Sequence, residues 1–128
     1  MAANDAGHLI QGLLKANDIE IPYADWSRVF PHWLLATVED EVIGCVMILP
    51  AKPFGFVEFL VVKPTTSFKL RAIAIRKLCF QAAGTLKIYG SSALFCTVLK
   101  NNRKFADILE KHGMVTVDQC DLKMKRLI

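Results

Sequence analysis

Glu58 is the one charged residue in the run from Phe56 to Val62, with Phe56, Phe59 and Leu60 as apolar neighbours. A carboxyl group flanked in this way is desolvated, which raises its pKa and suits it to accept a proton near neutral pH. The plainer alternative is a carboxylate at a sheet surface, or one paired with a lysine. Directly after this run come Lys63-Pro64, a polar stretch from Thr65 to Lys69, and a basic amphipathic segment. A strand that runs through a short loop into a helix N-terminus points unpaired backbone N–H groups at one spot. Such a spot attracts phosphate or pyrophosphate. Lys69, Arg71 and Arg76 either meet those phosphates or form the solvated face of a helix.

Other reactive side chains offer less. Cys45, Cys79, Cys96 and Cys120 are far apart in apolar surroundings, and His8, His32 and His112 are equally dispersed. With no C-x-x-C pair, no metal site is expected, and the thiols read as reduced core residues of a cytoplasmic protein. Ser91 and Ser92 have no histidine or acid nearby in sequence, so nucleophilic catalysis is unsupported.

At 128 residues the chain is expected to be a single domain, residues 1–128, with a core of its own. Hydrophobic residues make up 53%. No apolar run approaches the roughly 20 residues of a membrane span, and the longest, Val42 to Leu49, contains Gly44 and ends at Pro50. The N-terminus has no basic region ahead of an apolar stretch, so no secretory signal is expected. The apolar excess suits a subunit interface, in a homo-oligomer or a larger assembly. The formal net charge of +4 serves a nucleotide-phosphate ligand as well as it serves nucleic acid. Without an arginine-rich run or aromatic-basic interleaving, nucleic acid is not the expected partner.

The elements that must position these residues follow from periodicity and punctuation. Asn4 or Asp5 caps a first helix in which Leu9, Ile10, Leu13 and Leu14 repeat at helical spacing, ending near Asn17. Trp33 to Val38 and Glu41 to Leu49 flank Glu39-Asp40 as a hairpin. Pro50, Pro53 and Gly55 make a loop, and Phe56 to Val62 is a strand apolar on both faces, as a doubly covered one is. A helix from about Leu70 to Ala83 places Ala72, Ile75, Leu78, Cys79 and Ala82 on one face, with Lys69, Arg76 and Lys77 on the other. Gly84 and Gly90 bound a connection to a strand from Leu94 to Leu99. Asn101 or Asn102 caps a last helix, with Phe105, Ile108, Leu109 and His112 on one face and Gly113 closing it. Two short strands finish the chain, Met114 to Val117 and about Leu122 to Leu127. The expectation is an α+β fold: a mixed sheet of about six strands with helices on both faces and a parallel strand–helix–strand unit in the middle.

Two segments then carry a resemblance. Val62-Lys63-Pro64 with a helix several residues on, and the stretch from Asn102 to Met114 containing Leu109-Glu110-Lys111-His112-Gly113-Met114, resemble the GNAT superfamily of N-acetyltransferases. The second is similar to the family's closing motif, an Asn followed by a helix ending in Tyr-Glu-Lys-x-Gly-Phe. The element order matches from about residue 5 onward, without the family's first strand.

The resemblance implies acetyl-CoA as cosubstrate and an amine on a small molecule or a protein as acceptor. It implies Glu58 as the base, acting directly or through water, and the backbone of Leu60, Val61 and Val62 as the partner of the pantetheine arm. Asn102 would touch the cofactor arm, although a helix cap already explains it. Tyr23, Trp26 and Trp33 either line an acceptor cleft or pack under the first helix.

Two departures from the family pattern matter. Members carry Gln or Arg, two variable residues, Gly, a variable residue, then Gly or Ala, where this chain has Ser67-Phe68-Lys69-Leu70-Arg71-Ala72. Only Ala72 fits, and Leu70 in place of glycine narrows the backbone's approach to a pyrophosphate, for which Lys69 and Arg71 compensate in part as point charges. Leu109 stands where many members place a tyrosine that protonates the departing thiolate. Two readings stand: an acetyl-CoA-dependent N-acetyltransferase in the cytoplasm, or a catalytically inactive GNAT-fold structural or binding protein, virion-associated in a phage.

Overall fold

A computed structural model describes residues 3–21, 33–97, 103–111, 113–116 and 122–126. Helix α1 (Ala3–Ala16) starts ahead of Asn4 and Asp5, so both fall inside its first turn and neither caps it. Alanine is the best helix former, and Ala3 extends the helix past the expected cap. Strands β1 (Trp33–Val38) and β2 (Glu41–Leu49) form the expected antiparallel hairpin. Its two-residue turn holds Glu39 at φ 50 and Asp40 at φ 65, the left-handed pair whose twist matches the flanking strands.

Strand β3 (Phe54–Val62) starts two residues earlier than its sequence suggests, with Gly55 inside the strand and not in a loop. Helix α2 (Phe68–Ile88) is longer at both ends than the expected Leu70 to Ala83. Ser67 starts it: its Oγ accepts the Leu70 N–H at 3.3 Å and its carbonyl accepts the Arg71 N–H at 2.9 Å. Gly84 does not break it, because Ala82 and Leu86 on either side are fully buried and hold the helix straight through. Its inward stripe is Ala74, Leu78, Ala82 and Leu86, so Ala72, expected inside, lies exposed on the surface. Gly90 (φ 93) ends α2 and Gly113 (φ 85) ends α3 (Arg103–Lys111). In each, the glycine N–H and the next N–H reach back to the last turn's carbonyls. Strands β4 (Ala93–Thr97), β5 (Val115–Thr116) and β6 (Leu122–Arg126) complete the chain.

The six strands join in the order β1-β2-β3-β4-β6-β5, with β3 and β4 parallel and the hairpin and β4-β6-β5 antiparallel. This is the mixed α+β sheet the sequence implies. The chain divides into two compact units, residues 1–48 with 59–82 and residues 49–58 with 83–128.

In the first unit, Ile10, Leu13 and Leu14 of α1 pack on Val42, Cys45 and Val61, with Trp33 and Phe59 stacked beside them at 6.3 Å. Trp33 is therefore a packing residue, whereas Tyr23 and Trp26 lie outside the described residues. Ile43, Val62 and Ala74 form a second cluster with Ala36, Val38 and Ile75. Neighbouring residues of one strand point to opposite faces, so α1 and α2 cover the two sides of the sheet there.

In the second unit, Gly55 faces Leu86 and Ser91: a Cβ there would sit 2.8 Å from Leu86 Cδ2 and from Ser91 Oγ. Ser91 is buried and donates to the Ala51 carbonyl at 2.6 Å, which makes it a core hydrogen-bonding group. Leu109 is buried, 3% exposed, as a core residue is.

Candidate active site

In the first unit the residues expected to hold a pyrophosphate gather at the start of α2. Ser67 is the cap and the helix begins at Phe68, so Phe68 and Lys69 are helical where the sequence suggests a loop up to Lys69. Geometry leaves the first-turn N–H groups of Phe68 and Lys69 without intrahelical acceptors. Along its whole length α2 carries Lys69, Arg71, Arg76, Lys77 and Lys87 and no Asp or Glu. At the N-terminal end the helix dipole and the charges of Lys69 and Arg71 favour an anion together, whereas Lys87 lies in the last turn. Leu70, which stands where the family pattern has glycine, helps line, with Leu34, Ile73 and Phe80, a cavity of about 710 Å³ beside β1.

The end of β3 is partly engaged. The Val62 carbonyl accepts the Asn17 Nδ2–H at 3.2 Å, while the same amide also donates to the Leu13 carbonyl at 2.8 Å. Lys63 donates its N–H to the Ile43 carbonyl at 2.7 Å, and its ammonium pairs with Glu41 at 2.6 Å. The carbonyl of Val62 is thus already used inside the protein, and Val61 is buried in the core of the first unit. Asn102 lies outside the described residues, as do Cys120, His32 and His112. Among the described residues no cluster of His, Cys, Asp and Glu is built to hold a metal ion.

In the second unit, the parallel ladder of β3 and β4 runs from Phe54↔Ala93 to Phe56↔Phe95. Two residues further on, where that register puts Glu58 opposite Thr97, the Glu58 side chain takes over. Its Oε1 accepts from the Thr97 N–H at 3.2 Å and from the Thr97 hydroxyl at 3.1 Å. Desolvation by burial raises the Glu58 pKa above its ordinary 4.5, and the two bonds from Thr97 pull it back only in part. This is the direction its apolar neighbours in the sequence call for.

The first part of β3 is not doubly covered, contrary to what its all-apolar sequence suggests. Phe54 is 50% exposed and Phe56 39% exposed. Both meet Phe95 of β4, Phe54 edge-on at 5.4 Å and Phe56 tilted at 5.8 Å. Strand alternation puts Phe54, Phe56 and Glu58 on one face and Gly55 and Val57 on the other. Phe59, at φ 55, then breaks the alternation. None of this is legible locally: in an unbroken apolar run, period-2 signals vanish, and Thr97 is 39 residues from the carboxylate it holds.

No protein-family model and no curated protein sequence matches the chain. Solved structures do match. An acetyltransferase of the GNAT family from Staphylococcus aureus superposes with a TM-score of 0.77 at 10% identity, over 97% of this chain and 94% of the other. Ard1 from Thermoplasma volcanium gives 0.77 at 12% identity, over 98% and 93%. Rv2747 from Mycobacterium tuberculosis, solved in complex with CoA and NLQ, gives 0.71 at 11% identity, over 91% and 70%.

Proposed function

We propose that this chain, which has the GNAT fold, is an acetyl-CoA-dependent N-acetyltransferase that passes the acetyl group directly to an amine. The observation that carries the reading is Glu58: a partly desolvated carboxylate held through one oxygen by Thr97, with its pKa raised toward the range where a base works. Glu58 accepts one proton of the acceptor's ammonium group and passes it to solvent, which leaves a neutral, nucleophilic amine. When bound, acetyl-CoA supplies an acetyl thioester whose C–S bond breaks as the amine nitrogen forms the C–N bond, the electron pair leaving with sulfur. The second proton shed by the nitrogen ends on that sulfur, without help from Leu109.

On this reading the first turn of α2, from Ser67 to Ala72, holds the pyrophosphate through the N–H groups of Phe68 and Lys69 and the charges of Lys69 and Arg71. Leu60 and Val61 offer backbone to the pantetheine arm. Calorimetric titration with acetyl-CoA, and with free CoA beside it, tests the reading. Micromolar binding that Arg71→Glu abolishes supports it, and absence of binding up to millimolar removes it.

A second reading, an inactive GNAT-fold subunit of a larger assembly, draws on the surface of α2. Phe68 is 87% exposed and Phe80 76% exposed, an unusual outlay of apolar area for a free surface. Sedimentation of the purified chain distinguishes a monomer from such an assembly.

A further inference from the structure

We infer that Phe54, Phe56 and Phe95 form the platform on which the acceptor lies, and that the acceptor is an amine borne on an aromatic or flat apolar body. This rests on the N-acetyltransferase reading and names the substrate class for it. The three rings make two aromatic contacts with one another and still leave Phe54 and Phe56 open to solvent. The opposite side of the same stretch is packed so closely that Gly55 has no room for a Cβ against Leu86 and Ser91. The strand is therefore pinned from behind, and its aromatic side is presented outward on a rigid support. Rings held in this way suit stacking by a flat partner.

What the rings face is decided by the next outward residue on the strand. Glu58 follows Phe56 by one pleat, about 6.6 Å along the chain, and Thr97 follows Phe95 in the same way on β4. Both hydrogen bonds from Thr97 fall on Oε1, and on this proposal Oε2 meets the ammonium group of the acceptor. A carboxylate at one end of an aromatic strip is complementary to a molecule with an ammonium group at one end and a ring at the other. The pleat spacing sets a linker of about two or three carbons between them. A wholly polar polyamine would leave the rings uncovered, and a wholly apolar partner would leave Glu58 desolvated without a counter-charge.

The probe is 2-phenylethylamine, with butylamine as the control that keeps the amine and lacks the ring. Saturation-transfer NMR reads ring contact whether or not chemistry follows, and thiol release from acetyl-CoA reads transfer separately. The expected result is ring-proton saturation by the wild-type protein. Transfer to 2-phenylethylamine should be at least about tenfold more efficient than to butylamine. Phe56→Ala and the more exposed Phe54→Ala should each erase most of that preference, and Phe56→Leu part of it, with unchanged thermal unfolding showing that the fold persists. Ring saturation that is absent, or undiminished in Phe56→Ala and Phe54→Ala, overturns the platform, as does equal transfer to both amines. Ring contact without thiol release from any amine keeps the platform as an amine-binding site and removes the enzyme.

Discussion

Thr97 holds Glu58 by both of its donors at once, the backbone N–H at 3.2 Å and the hydroxyl at 3.1 Å, on a single carboxylate oxygen. The contact stands where the β3–β4 ladder would have its next rung. A side chain has replaced a backbone pair, which fixes the carboxylate in position and also closes the end of the ladder. One residue thereby serves the architecture and, on the proposed function, the chemistry as well.

If Glu58 is the base, its protonation governs the rate. Glu58→Gln should lower acetyl transfer by about 10²–10⁴-fold at neutral pH. In the wild type, kcat/KM should rise with pH through a midpoint above 4.5, the ordinary value for a glutamate, because burial favours the protonated form. A profile whose midpoint lies at or below 4.5, or a Gln variant of full activity, would falsify the assignment.

The same shift makes a stability prediction of definite sign. A carboxyl group whose pKa is raised on folding contributes stability below its unfolded pKa, and that contribution is lost as pH rises through the folded value. Glu58→Gln keeps an oxygen acceptor for Thr97 and removes the buried charge. Its Tm should match or exceed that of the wild type at pH 7, with the gap closing as pH falls below 4.5. Thermal unfolding followed by circular dichroism at the two pH values reads the difference, and a variant less stable at pH 7 than at pH 4 relative to wild type contradicts it.

Gly55→Ala tests the packing behind the aromatic strip. The added methyl would lie 2.8 Å from Leu86 Cδ2 and Ser91 Oγ, and both residues are buried. Ser91 is further tied to the Ala51 carbonyl, so neither neighbour yields freely. Overpacking of this kind costs about 1–3 kcal/mol, which urea unfolding resolves. A variant as stable as wild type would mean that the strand can shift outward.

At the start of α2, Ser67→Ala should lose about 0.5–2 kcal/mol and Ser67→Gly only a few tenths. If the helix start also binds pyrophosphate, the alanine variant should weaken acetyl-CoA binding as well, since the first turn frays without its cap. Calorimetry and denaturant unfolding on the same two variants separate the effects.

How far the sequence reached is clearest element by element. The hairpin and its turn are readable from the branched apolar runs on both sides of Glu39-Asp40, but the register shift between Ala36 and Thr37, where Ile43 is skipped, has no local signal. The far end of α2 is not readable, since Gly84 punctuates locally while Leu86, fully buried, decides globally. Glu58 stood out by its neighbours alone. Its holder Thr97 and the ring Phe95 did not, because only the parallel register of β3 and β4 brings them alongside. Pro53 and Gly55 on either side give Phe54 the look of a loop residue, although that glycine serves close packing and not a turn.

Helix α2, with its five cations and no acid, extends about 32 Å. That is several times the distance over which physiological salt screens a charge. If an anion binds at the first turn, as the proposed function has it, the cations further along can only steer its approach. Salt should then slow its capture while leaving its escape almost unchanged, so that the length of the helix would act on kinetics where its first turn acts on affinity.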